Sequence, residues 1–206
     1  MANAYWKKWY SKNKEHFKSL VNKHKQNRRK RFQEIINQYK DKPCIVCGES
    51  FDPCVMEFSH KDGTEKKFRI SDAGRKIYSI DKLVEEIEKC DVICACCNRI
   101  IKTEEYLKSK DEPSRNRRRT KLRAVIDNVK SEPCKDCGKT FPPYCMDLDH
   151  LDADDKVDSL SSMLSSEKNL EEIVNELSKV ESVCVNCHRV RTCNRKKESS
   201  EKTKKD

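Results

Sequence analysis

Four cysteine pairs constrain this chain more than any other feature. Cys44-x-x-Cys47 and Cys94-x-x-Cys97 recur 90 residues further on as Cys134-x-x-Cys137 and Cys184-x-x-Cys187. A CxxC turn aims two sulfurs at one point, so two facing turns supply the four soft ligands of a tetrahedral zinc ion. With protein sulfur at all four positions no site stays open to substrate. One structural Zn²⁺ is therefore expected in each repeat.

The repeat extends well beyond the cysteines and needs no gap. The same offset places Phe51 on Phe141, Pro53 on Pro143, Met56 on Met146, His60 on His150, Lys66 on Lys156 and Arg99 on Arg189. Upstream, Ile35, Ile36 and Tyr39 fall on Val125, Ile126 and Val129. The reading is two α+β modules, residues 28–108 and 118–197, joined by a linker at 109–117. A basic arm, 1–27, precedes them, and a charged tail, 198–206, is expected to be disordered. Each module reads as a short amphipathic helix, a Pro-Cys-x-x-Cys-Gly turn and a strand pair ending at Met56–His60 or Met146–His150. A second helix follows, with Leu83, Val84, Ile87 and Cys90 matched by Ile173, Val174, Leu177 and Val180, before the second cysteine pair and a last helix.

Composition explains why metal is needed. Only 35% of the 206 residues are hydrophobic and 39% are charged, yet 13 are cysteine. The first residues show no apolar signal segment, and no run has the length of a membrane span. With an odd cysteine count this argues for reduced thiols in an intracellular compartment, the cytoplasm or a host nucleus. Among the cysteines left over, Cys90 reads as core and Cys96 as a competing zinc ligand; Cys54, Cys145 and Cys193 have no assigned role.

Residues 1–42 hold 13 Lys/Arg against three Asp/Glu, while the rest of the chain is neutral. Basic character therefore belongs to the arm, which points to a polyanion. Trp6, Trp9, Tyr10, Phe17, Leu20, Val21 and His24 lie at helical spacings among lysines. Two readings coexist: an aromatic face packed on the first module, and a phosphate grip completed by Arg28, Arg29, Lys30 and Arg31.

A second constellation lies beside the cysteines. In the second repeat it is Asp149-His150 at a strand end and His188 directly after Cys187, two of the chain's five histidines. A carboxylate and two imidazoles on one zinc-held frame are the parts of a metal-dependent hydrolase. Met146-Asp147-Leu148-Asp149-His150, Lys156 and Val183-Cys184-Val185-Asn186-Cys187-His188-Arg189, with the matching Val92–Arg99 stretch, resemble the zinc-containing HNH (ββα-metal) endonucleases of phages and large DNA viruses. The resemblance covers both repeats and implies DNA as substrate, with RNA as the alternative.

It also implies the roles. His150 would be the general base, and Asp149 with His188 would hold Mg²⁺ or another divalent ion. Arg99 and Arg189 are candidate phosphate contacts, and Asp152 or Asp154 are candidates for the motif's middle residue. The first repeat departs from the pattern. Ser59 stands where Asp149 does, Asn98 replaces His188, and His60 is kept; Glu57 is a candidate substitute ligand. The expectation is a better catalyst in the second repeat. The alternatives are a non-catalytic zinc-stabilised nucleic-acid-binding protein and a subunit of a larger nucleic-acid-processing complex. Oligomeric state is left open.

Overall fold

The structure, a computed structural model, describes residues 2–61, 63–76, 79–108, 117–151 and 170–202. Lys156, Asp152, Asp154 and most of the expected linker lie outside the described residues. In chain order the elements are α1 (Ala2–Lys40), β1 (Met56–His60), α2 (Ile80–Glu88), β2 (Cys90–Cys94), α3 (Ala95–Lys108), α4 (Arg117–Val129), β3 (Met146–His150), α5 (Leu170–Leu177), β4 (Val180–Cys184) and α6 (Val185–Lys202). Single 3₁₀ turns sit at Ile70–Asp72 and Pro143–Cys145. The result is a small α+β protein with two two-stranded antiparallel sheets, β1–β2 and β3–β4. Among the described residues no helix is long and apolar enough to cross a membrane.

Three expectations change. The strand pair expected to end at Met56–His60 is a single strand whose partner is the later Cys90–Cys94 segment. The residues just before it form turns at Pro53 and Pro143, where proline offers no N–H to a ladder. The arm and the first module's leading helix are one element, α1, bent at Asn13 (φ −113°, ψ 15°), whose Nδ2 donates to the Trp9 carbonyl at 2.9 Å. The tail expected to be disordered from 198 is helical through Lys202, as the last turns of α6.

The chain forms two compact units that do not coincide with the sequence repeats: residues 1–43 with 58–92, and residues 44–57 with 93–206. In the first unit, Phe32 and Ile36 of α1 pack with Ile70, Ala73, Leu83, Ile87 and Cys90, so Cys90 is core as expected. The spacing of Leu83 and Ile87 places both on one side of α2, and Cys90, expected on that helix, is instead the first residue of β2. Ser79 starts that helix by accepting a 3.2 Å hydrogen bond from the Lys82 N–H. Gly74 is required where the loop meets α1, because a Cβ there would come within 3.2 Å of the Arg29 Cα. The arm's aromatic residues pack on one another: Trp6 stacks on Trp9 at 5.1 Å, and Phe17 meets Trp6 and Tyr10 edge-on. Trp6 and Trp9 remain 52% and 37% exposed, which leaves this face unburied within its unit.

The second unit gathers both CxxC frames, β3, β4 and helices α3 to α6. Its core includes Val55, Met56, Ile93, Ile126, Cys145, Met146, Ile173, Val183 and Val185. β3 and β4 pair antiparallel with Met146 opposite Cys184 and His150 opposite Val180. Alternation along β3 therefore sends Asp147 and Asp149 to one face, and Met146, Leu148 and His150 to the other.

Candidate metal centres and active site

Each repeat builds its cysteine frame in the same way. The first pair sits in a turn closed by Gly48 N to Cys44 O at 2.8 Å, repeated as Gly138 N to Cys134 O at 2.8 Å. Both glycines have positive φ, +71° and +69°. The second pair spans the end of a strand and the first turn of the following helix. Backbone N–H groups point at the sulfurs: Cys94 to Cys44 at 3.3 Å, Cys97 to Cys94 at 3.5 Å, Cys184 to Cys134 at 3.2 Å and Cys187 to Cys184 at 3.5 Å. Such donors stabilise thiolate over thiol.

The donor set fits zinc. In each group of four the sulfurs lie within 4.8 Å of one another. Cys137 and Cys184 are 4.0 Å apart, close to the ~3.8 Å edge of a tetrahedron with 2.3 Å bonds. One thiol per frame is held low. Cys44 falls to about 7 because backbone hydrogen bonds outweigh its burial, and Cys184 to about 5, first through a hydrogen bond from Cys96. Cys47, Cys97, Cys137 and Cys187 are pushed up, by burial first. Crowded sulfurs that resist joint ionisation are what a divalent cation relieves. Cys96 is in neither group: its backbone N–H donates to Asn186 Oδ1 at 2.8 Å and its sulfur meets Cys184. It is therefore not the competing ligand of its own repeat.

Above the second frame, Asp149 at the end of β3 meets His188 in the first turn of α6, Oδ1 to Nε2 at 3.7 Å. Asp149 is 6% exposed. Burial opposes its ionisation, but Arg195 and Arg191 hold it below the usual carboxylate range. Arg195 grips it with two bonds, at 3.0 and 2.7 Å, and Arg191 adds one at 3.2 Å. Behind His188, its Nδ1 lies 2.9 Å from Asp147 Oδ2. That hydrogen bond raises His188 above its ordinary value, against the effect of burial. Asp147 is held down at about 2, since bonds from His188 and Arg99 outweigh its burial.

His150 is placed differently. It turns to the opposite face of β3, where Nε2 lies 2.8 Å from Glu176 Oε1 of α5. The first repeat copies this at the same offset, with His60 Nε2 3.0 Å from Glu86 Oε1. Both glutamates are nearly inaccessible, 1% and 2% exposed, and each is also paired with a lysine one turn on, Lys89 or Lys179. Sequence reasoning missed this pair. Its signal is an acid in the apolar stripe of both second helices, repeated at 90 residues with its lysine.

Of the other expected site residues, Arg28, Arg99, Arg189, Asn98 and Glu57 are engaged within the protein. Arg99 donates to Asp147 at 2.6 Å, and Arg189 is ion-paired with Glu57, so neither is a free phosphate contact. Glu57 also accepts from Asn98, which makes it the counterpart of Asp147 rather than a substitute for Asp149. Arg28 donates to the Arg75 carbonyl at 3.1 Å, while Arg29, Lys30 and Arg31 are exposed. A cleft of about 410 Å³ opens beside Glu57, with Asn98, Arg99, Lys102, Tyr106 and Arg189 among its walls. No protein-family model, curated protein or solved structure matches this chain.

Proposed function

We propose that the chain is a metal-dependent DNA endonuclease of the HNH type, with its working site in the second repeat. The observation that carries this reading is the meeting of Asp149 and His188 at 3.7 Å, on a strand–strand–helix frame held by four cysteines. Two donors at that separation reach a single ion with bonds of about 2.1 Å. Mg²⁺ or a similar ion bound there would offset charge on the phosphorane-like transition state and the leaving oxygen.

The chain's own residues supply the rest. Glu176 would hold the His150 ring through Nε2–H and leave Nδ1 to take the proton from the attacking water, a role that requires the ring to serve the ion site from the face of β3 opposite Asp149. Asp147 accepts from His188 Nδ1–H and keeps Nε2 turned to Asp149. Arg191 and Arg195 neutralise Asp149, and an ion held there would compete with these two guanidiniums for its oxygens. The first repeat, with Ser59 in place of the carboxylate and Asn98 tied to Glu57, is the weaker catalyst or is retained for binding.

One observation favours the rival reading, a zinc-stabilised nucleic-acid-binding protein: two guanidiniums already satisfy Asp149. Supercoiled plasmid incubated with Mg²⁺ or Mn²⁺ separates the two. The nuclease reading expects nicking that Asp149→Ala abolishes and Ser59→Ala leaves intact; a retarded, uncut plasmid under every metal condition supports the rival.

A further inference from the structure

Within the second unit the repeats meet as an isologous pair, in which a contact from i to j is matched by one from j to i. Shifting by 90 residues exchanges Glu57 with Asp147, Asn98 with His188 and Arg99 with Arg189. The contacts follow that exchange. Arg99 of the first repeat grips Asp147 of the second, which also holds His188; Arg189 of the second grips Glu57 of the first, which also holds Asn98. Two further pairs lie where a two-fold axis requires a residue to meet its own counterpart. Cys96 N donates to Asn186 Oδ1 at 2.8 Å, and Lys139 Nζ lies 2.6 Å from Glu49 Oε1. In every pair the offset between counterparts is 90 residues.

From this geometry we infer that Arg99 of the first repeat is a positioning residue for the second repeat's site, acting on His188 through Asp147. Arg99 NH1 is 2.6 Å from Asp147 Oδ1, and NH2 is 3.5 Å from Oδ2, the oxygen that faces His188 Nδ1 at 2.9 Å. A carboxylate held from one side by a guanidinium has one orientation to offer the imidazole. The imidazole then carries its proton on Nδ1 and presents Nε2 to Asp149. Asp149, Asp147 and His188 all belong to the second repeat, so the first supplies what the second lacks. The first repeat thus carries this arginine on an intact four-cysteine frame, although Ser59 stands where the second repeat has Asp149. The consequence for cleavage rests on the nuclease reading; the orientation of His188 does not.

The test uses the full zinc-loaded chain and reads the ¹⁵N shifts of the His188 ring on the alkaline plateau of its own titration, where a neutral ring reports its tautomer. In wild type the Nδ1–H form dominates. Arg99→Ala brings in the Nε2–H form, weakens Mn²⁺ binding about tenfold and slows nicking by a similar factor. Arg99→Lys, which keeps the charge but not the fork, lies between the two. Lys139→Ala, which breaks only the exposed pair with Glu49, leaves the His188 signals unchanged. An Arg99→Ala chain that is folded by its melting curve and keeps the wild-type tautomer and Mn²⁺ affinity overturns the inference. Should Arg99→Ala alone lose its fold, the Arg99→Lys ring signals decide, and a wild-type pattern there overturns it too. If the wild-type chain never nicks while Arg99→Ala still releases the His188 ring, the nuclease reading falls and the positioning stands.

Discussion

Replacing Glu86 by Gln removes a negative charge that the first unit surrounds with donors. Oε1 accepts from His60 at 3.0 Å, from the Lys67 N–H at 2.9 Å and from the Phe68 N–H at 3.5 Å, while Lys89 Nζ lies 2.8 Å from Oε2. Burial favours the neutral acid, yet these partners reverse it and hold the carboxyl at about 2 against an ordinary 4.5. At 1.36 kcal/mol per unit, the ionised form is worth about 3 kcal/mol to the folded state at neutral pH. Because the folded value is depressed, that contribution is complete above about pH 4.5 and lost as pH falls towards 2. Glutamine keeps one acceptor but turns an NH₂ towards the Lys89 ammonium, so the loss is not recovered. Urea unfolding at pH 7 with zinc present should show a deficit of about 3 kcal/mol, or about 1.5 M in midpoint at a slope of about 2 kcal/mol/M. The gap should hold between pH 6 and 8. A variant within about 0.5 kcal/mol of wild type at pH 7 would refute the reasoning, because it would mean that the charge contributes nothing there.

Metal analysis of the purified chain should give two zinc ions; Cys137→Ala should retain one, and a chelator that removes both should unfold the second unit, which holds both frames. Gly138→Ala should destabilise by about 1 kcal/mol in a chemical melt, since φ of +69° strains a residue with a Cβ although open space surrounds it. Replacing Arg29, Lys30 and Arg31 by Ala should weaken DNA binding and reduce the slope of log K against log salt by about 2 to 3; an unchanged slope would place the phosphate contacts elsewhere.

Local features of this chain were legible in its sequence, and long-range ones were not. The two groups of four cysteines follow from spacing alone, because a CxxC turn and a strand–helix junction each carry their geometry with them. Leu83 and Ile87 followed from helical periodicity and are buried; Cys90 is buried too, but as the first residue of β2, and Val174 of the matching stripe is exposed. The strand partner of Met56–His60 was missed because Cys90–Cys94 was read only as the approach to a metal pair. Cross-repeat contacts have no sequence period. Arg99 reaches Asp147 over 48 positions and Arg189 reaches Glu57 over 132, and an arginine beside a candidate ligand looks the same whether it faces phosphate or a buried carboxylate. Glu86 and Glu176 carried a signal that could have been read, an acid facing the core twice at one register. The bent α1 follows from Asn13, whose side chain takes up a carbonyl of the preceding turn.

The most direct test of the central claim is a plasmid assay with zinc-loaded chain, with and without Mg²⁺ or Mn²⁺, run beside His150→Ala. Supercoiled plasmid should convert to nicked or linear DNA only when the added ion is present, and not with a His150→Ala chain that retains both zinc ions. Cleavage that persists in His150→Ala, or none from the wild-type chain with any ion, would contradict it.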